Sequence, residues 1–495
     1  MTRIAPNPPE PERPTRVRYT VLAFACTLAM IVYLDRACVA SAASSIIKEL
    51  GLASTAALGP VYAAFALAYA IFEVPNGWLG DRFGPRKVLI RIAVWWSVFV
   101  ALSGVVGLAV GGWVLGFGML VAVQFLAGVG EAGAFPNITR MLHNWFPYHQ
   151  RAAAQGAMWM CGRLMGGLTP LVWTLLVAGV SSRTTEPGGE VVMHTILSPL
   201  LSWRAAFWLF GLLGVVWCAW FTLWFRDRPE QKRQVNAAEL ALIRAGPVET
   251  GSAHAAVPWG AMLRSPNLWL LCLMYACQCF GWYFYMTYLP KFFEQNLEVP
   301  ASSLQGAVLK GGPLWMGAVG CMVGGLVSDR FTRRTGSRRW GRRISGLISH
   351  TLTALCFAAC AALCSLQHSP LLFFLAISFA GFSTDLAMGP AWACCQDIGR
   401  RYAAIMAGCM NMFGNLGGAM AGWVFGRLLD RSLHAHARLL DRGVELLTET
   451  EKAAGLWNGY QLGFLVAAGL YVVGVLCWLR IDASRALVEE GEPGS

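Results

Sequence analysis

Charge is what this chain has least of. Only 13% of its 495 residues are Asp, Glu, Lys or Arg, while 56% are hydrophobic. A soluble globular chain carries about 25% charge, and one buried core cannot absorb the difference, so a soluble domain is excluded. The 15 cysteines include no C-x-x-C pair, and most, such as Cys26, Cys161, Cys272 and Cys321, sit inside apolar runs. There they act as small packing residues, which excludes a disulfide scaffold and leaves no expectation of a metal or redox centre. The eight histidines are scattered outside ligand spacing, and no paired histidine or nucleophile constellation suggests a membrane hydrolase, so no enzyme and no bound cofactor are expected. No cleavable leader is expected: residues 1–18 are polar and rich in Pro and Arg, and no small-residue cleavage site ends the apolar run that follows.

What the chain does have is apolar runs long enough to cross a hydrocarbon layer of roughly 30 Å, which takes about 20 helical residues. The 54 glycines and 21 tryptophans fit that class, since Gly lets helices approach and Trp anchors at the interface. Spans are expected at 19–42, 57–79, 88–109, 113–137, 152–179 and 204–225, then at 267–290, 304–327, 343–365, 370–393, 402–426 and 456–479. The expected fold class is therefore an all-α integral membrane protein of 12 transmembrane helices in two six-helix halves. A tail (1–18), a first half (19–225), a polar linker (226–265), a second half (266–480) and a second tail (481–495) divide it. Loop 180–203 reads as a solvent turn and 427–455 as a charged surface helix.

The formal net charge of +12, from 39 basic and 27 acidic residues, is distributed as cytoplasmic loops require rather than as a nucleic-acid surface. Loop 80–91 holds Arg82, Arg86, Lys87 and Arg91, and loop 329–343 holds seven arginines. Loop 43–56 has only Lys48 beside Glu49, and 110–112 and 366–369 have neither Lys nor Arg. Positive loops stay inside, so both termini are expected in the cytoplasm, as an even span count demands.

The stretch Gly77-Trp78-Leu79-Gly80-Asp81-Arg82-Phe83-Gly84-Pro85-Arg86-Lys87 returns in weaker form as Gly325-Leu326-Val327-Ser328-Asp329-Arg330. One copy per half, at the same place in each half, signals internal duplication. Gly77 and Gly80 let spans 2 and 3 approach, and Gly84 belongs to the same motif. Asp81 and Asp329 are placed to pair with an arginine or a helix N-terminus. Arg82, Arg86, Lys87 and Arg330 face cytoplasm and anionic lipid. The motif reads as a conformational latch, a cytoplasmic gate, with Glu73 nearby as a gating ion-pair residue.

Ionisable groups at membrane depth need a partner or a task. They are Asp35 and Arg36 in span 1, Glu73 in span 2, Glu131 in span 4, Arg163 in span 5, Lys310 in span 8 and Asp385 in span 10. Asp35 and Glu131 read as proton-titrating carboxylates, against a structural ion pair for the first and a hydrogen-bonding role for the second. Arg36 reads as a cation that meets an anionic substrate. Arg163, with small neighbours, presents a fork that fits a carboxylate; its alternatives are a substrate acid group or pairing with Glu131 or Asp35. Lys310 and Asp385 suggest a second-half network, with Lys310 otherwise reaching out to the interface. Asn411 and Asn415, four apart, share one helix face and read either as a pore-facing pair or as helix–helix glue. Tyr285 belongs to a span 7 aromatic group that can wall a cavity or form an interfacial belt.

These features together resemble the major facilitator superfamily: two six-span halves, a central linker, and Gly77-x-x-x-Asp81-Arg82-x-Gly84-x-Arg86-Lys87. Tyr33-Leu34-Asp35-Arg36, Gly130-Glu131-Ala132-Gly133-Ala134-Phe135-Pro136-Asn137, Asn144-Trp145-Phe146-Pro147, Ser202-Trp203-Arg204, Pro390-Ala391-Trp392 and Asp397 narrow the resemblance to the anion:cation symporter family. That family includes bacterial hexonate, hexuronate and glucarate permeases and animal organic-anion and phosphate transporters. The resemblance implies symport of a small organic anion, a sugar acid or other carboxylate, with protons as the coupling ion. It implies Asp35 and Glu131 as titrating groups, Arg36 in the coupling network, Tyr33 and Tyr69 beside the cavity, and Trp392 and Asn415 on the substrate. Relatives commonly carry an arginine where this chain has Gln124, and Arg163 is the candidate replacement. A monomer in the bacterial inner membrane is expected, with no nucleic-acid partner; the runner-up is a proton-driven exporter of drugs or metabolites.

Overall fold

A computed structural model gives the architecture and describes residues 12–52, 55–110, 113–114, 116–185, 191–245, 257–289, 292, 304–366 and 370–487. Helices dominate the described residues. The first half of the chain holds α1 (Val17–Ser41), α2 (Ala43–Leu50), α3 (Gly59–Phe83), α4 (Pro85–Ser103), α5 (Phe117–Glu131), α6 (Ala134–Trp145), α7 (Arg151–Trp173) and α8 (Trp203–Trp224). Short α9 (Ala237–Ile243) and α10 (Trp259–Arg264) lie in the linker. The second half holds α11 (Pro266–Thr287), α12 (Leu304–Thr335), α13 (Arg338–Leu366), α14 (Pro370–Asp385), α15 (Met388–Gly399), α16 (Ala403–Leu439) and α17 (Glu449–Arg480). Eight helical stretches among the described residues are long and apolar enough to cross a membrane.

Two runs expected as continuous spans are broken at matching points. α5 ends at Glu131 and α6 begins at Ala134; α14 ends at Asp385 and α15 begins at Met388. Pro136 and Pro390, each the third residue of the restarted helix, explain the break. A proline supplies no N–H, and its ring displaces the carbonyl four residues earlier. The break therefore falls at Ala132-Gly133 and at Leu386-Ala387.

Several boundaries differ from expectation. Span 3 stops at Ser103, followed by Gly104 and by Gly107 at φ 87°. A small hairpin of β1 (Ala109–Val110) and β2 (Trp113–Val114) occupies the place where span 4 was expected to begin. The solvent turn at 180–203 contains the antiparallel strands β3 (Val180–Thr185) and β4 (Val191–Leu197), the second rich in β-branched residues. The charged surface helix expected at 427–455 is in its first part a continuation of α16 to Leu439, and α17 then opens at Glu449 under a Thr448–Glu451 capping box. The basic loops are also mostly helical. α3 runs to Phe83 and turns on Gly84 alone (φ 88°); α12 runs to Thr335 and turns at Gly336 (φ 67°).

The two halves pack as a two-fold pair, α3 against α16 and α7 against α12. A Cβ on Gly77 would stand 2.6 Å from the Ala404 carbonyl oxygen, and one on Gly408 2.9 Å from that of Glu73. In the matching contact, a Cβ on Gly325 would strike the Ala152 carbonyl oxygen and one on Gly156 that of Cys321. Glycine is required at these crossings because backbone meets backbone. The chain ends and the linker gather where the motif lies. Buried Glu239 of α9 accepts from Val17 N (3.2 Å) and pairs with Arg18 (2.9 Å), Asp227 accepts from Arg86 N (2.8 Å), and Leu487 N donates to Ile398 O (2.9 Å).

Candidate functional site

At the motif end the halves are tied by two carboxylates in equivalent roles. Asp81 of α3 accepts from Ala404 N (3.2 Å) and Ile405 N (2.8 Å), the first turn of α16. Asp329 of α12 accepts from Ala152 N (3.3 Å) and Ala153 N (2.7 Å), the first turn of α7. Each charge sits on the positive end of a helix from the other half. Arginines surround them: Arg140 lies 3.8 Å from Asp81, and fully buried Arg342 bonds Asp329 (2.7 Å) and Asp397 (3.0 Å), with Arg151 also on Asp397 (3.1 Å). The gate residues Gly77, Gly84 and Arg86 take structural places here: Gly77 at the α3–α16 crossing, Gly84 in the turn, and Arg86 donating to the Thr222 carbonyl (2.6 Å). Arg82 packs on Trp78 and Phe83, while Lys87 and Arg330 are exposed. Arg140, Arg151 and Arg342 escaped the sequence reading because a loop arginine is read as solvated.

Glu73 does not join this gate as an ion pair. It is fully buried higher in α3, where Asn411 donates to one oxygen and Asn415 to the other (3.3 Å). The asparagine face of α16 is thus turned across the interface toward α3.

Deeper in the bundle, Arg36 of α1 pairs with Glu131 at the end of α5, inside the first half. The Arg36 guanidinium lies over Tyr69 (4.5 Å) and near Phe135 (5.7 Å). Asp35 is 5% exposed, and neither carboxylate oxygen has a hydrogen-bond partner among the described residues. The second arginine is paired across the halves. Arg163 of α7 donates through Nε (2.7 Å) and Nη2 (3.1 Å) to the two oxygens of Asp385 on α14, and through Nη1 to the Tyr33 hydroxyl (2.6 Å). Trp282 of α11 covers it at 4.5 Å. Asp385 was not among the partners the sequence suggested for Arg163. The accessibilities separate the two cations: 31% of the Arg36 side chain is exposed, against 5% for Arg163.

Of the remaining candidates, Gln124 turns to α4 and donates to Ser103 Oγ (3.0 Å). Trp392 is fully buried, donates to the Tyr275 hydroxyl (3.3 Å) and packs against Trp159 (5.0 Å). The side chains of Tyr285 and Lys310 lie outside the described residues.

With this geometry in view, three comparisons agree. The Major Facilitator Superfamily model matches residues 25–422. The probable sulfoacetate transporter SauU of Cupriavidus necator is 30% identical over 94% of this chain and 94% of its own length. The probable galactarate/D-glucarate transporter GudP of Escherichia coli K12 is 27% identical, covering 88% and 92%. Among solved structures, the proton:xylose symporter XylE shares the fold with a TM-score of 0.69 at 14% identity, over 94% of this chain and 96% of that one.

Proposed function

Because the chain belongs to the Major Facilitator Superfamily, with sugar-acid and sulfoacetate transporters among its relatives, we propose that it imports a small organic anion together with protons by alternating access. The Arg36–Glu131 pair beside unbonded, buried Asp35 is the observation that carries this reading. A buried ion pair that loses one partner leaves an uncompensated charge, at a cost of about 3–5 kcal/mol. If a substrate anion takes Arg36, Glu131 must therefore be neutralised, and a proton is the smallest neutraliser. Asp35, the residue before Arg36, is the second carboxylate in reach. Anion and proton then enter together because neither is stable there alone.

The architecture in this reading is 12 crossing helices, six on each side of linker 226–265, with both termini and both motif loops in the cytoplasm of a bacterial inner membrane. α5 with α6, and α14 with α15, each make one broken crossing. The Asp81 and Asp329 ties join the halves at the motif end, which gives a state closed to the cytoplasm. Import follows the charge balance: a proton entering with each acid group cancels its charge, so an inside-negative potential, which costs an uncompensated anion about 2.3 kcal/mol per charge at 100 mV, does not oppose entry, and a proton gradient drives it.

The test is equilibrium binding of sulfoacetate and galactarate to the purified protein across pH. Affinity should rise as pH falls in the wild type and depend less steeply on pH in Glu131→Gln, while Arg36→Gln should bind neither acid. Binding in Arg36→Gln at wild-type affinity would refute the assignment.

A further inference from the structure

We propose that Arg163 and Asp385 form a second anion seat, so that the preferred substrate is a short dianion and each of its acid groups enters with one proton. This deepens the reading above and rests on it: Arg36 is the first seat, and the second is a site that the anion–proton argument at Arg36 does not include.

The geometry of the pair is that of a carboxylate already occupying a carboxylate site. Two N–H groups of one guanidinium face two oxygens of one acid, at 2.7 and 3.1 Å, the fork that recognises a free carboxylate. The pair is also built from both halves, α7 and α14. A tie of that kind has to part when the halves rock, whereas Arg36–Glu131 stays within one half.

The internal repeat supports the same role. Glu131 is the last residue of α5 and Asp385 the last of α14, each followed by a two-residue break and a helix with proline as its third residue. The fold thus places an acid at the same helix end twice and gives each an arginine.

The seats are close. Tyr33, which bonds Arg163, precedes Arg36 by three residues on α1, about 4.5 Å of helix rise. Phe135 lies beside both, 6.3 Å from the Tyr33 ring and 5.7 Å from the Arg36 guanidinium. An anion with acid groups a few bonds apart spans them.

Charge balance requires the second proton. If a substrate oxygen replaces Asp385 on Arg163, Asp385, 2% exposed, keeps no cation. Among the described residues, the other titratable groups around it are the Cys321 thiol of α12, Cys279 of α11, Tyr471 of α17 and, through Arg163, Tyr33 of α1. His350 of α13 is turned to the Gly346 carbonyl. None supplies positive charge, so a proton from the medium adds to an Asp385 oxygen as the substrate takes the guanidinium.

The experiment measures proton and substrate flux in proteoliposomes holding the full chain, with galactarate as the dianion and galactonate as the monoanion. The wild type should take up two protons per galactarate and favour it over galactonate by tenfold or more. Arg163→Gln/Asp385→Asn should take up one and lose that preference. Asp385→Asn alone, which keeps Arg163, should bind galactarate more tightly and also fall to one proton, so the conclusion survives if the double variant fails to fold. Two protons per galactarate in both variants would make the pair structural and overturn this inference alone. A wild type that moves neither acid, nor sulfoacetate, would overturn the reading beneath it.

Discussion

Asn415 stands on α16 where Arg163 stands on α7: each is the thirteenth residue of its helix, each follows a glycine, and each reaches an acid of the other half. The repeat has kept the position and changed the chemistry. On one side of the two-fold, amides hold Glu73; on the other, a guanidinium holds Asp385. If Arg163 seats an anion as proposed, the charged side is the one whose partner must be neutralised when the tie parts, and the duplicated frame then carries an asymmetric mechanism.

The motif carboxylates should set the balance between states. An acid on a helix N-terminus stabilises by up to about 2 kcal/mol when partly buried. Asp81→Asn or Asp329→Asn should each shift the population toward a form open at that end, and the double variant should shift it further. Distances between spin labels placed on the two halves at the motif end report this; an unchanged distribution in the double variant would show that these bonds do not hold the end closed.

The Glu73 site should tolerate neutralisation better than loss of its donors. Glu73→Gln keeps an oxygen acceptor for Asn411 and should cost less than about 1 kcal/mol, whereas Asn411→Leu leaves a buried acceptor unmet, a loss of about 1–3 kcal/mol. Thermal unfolding in detergent ranks the two. The reverse order would mean that the charge of Glu73, rather than its hydrogen bonds, holds α3 to α16.

At the opposite end, Arg204 donates to Glu49 and holds its carboxyl below the usual carboxylate range. A lowered folded-state pKa stabilises above the unfolded value, near 4.3 or so, and that contribution fades as pH falls through the folded value. With 34% of the Glu49 side chain exposed, solvent screening limits the pair to about 0.2–1 kcal/mol. Arg204→Gln should lower the unfolding temperature slightly at pH 7, with the deficit shrinking as pH falls toward 3. A deficit that persists at pH 3 would point to the bond from Arg204 to the Val106 carbonyl instead.

Much of this was legible because hydrocarbon leaves a coarse record. Each apolar run read as a span contains a helix, and the Gly77 and Gly325 motifs lie at matching crossings. Asp35, Arg36 and Glu131 stood out because ionisable residues are rare at that depth. What a linear reading lacks is rotation between helices. Nothing in the sequence around Arg163 points to Asp385, 222 residues away. Loop arginines were counted as solvated, so fully buried Arg342 passed unnoticed. Pro136 and Pro390 did mark the helix breaks, but a proline a few residues from an expected span end reads as a terminus rather than an interruption.

The most direct test is accumulation of sulfoacetate, galactarate and galactonate in proteoliposomes under an imposed inward proton gradient, with and without a protonophore. The account predicts that at least one acid accumulates above its external concentration and that the protonophore abolishes the accumulation. Uptake of none of the three, or accumulation indifferent to the gradient, would contradict it.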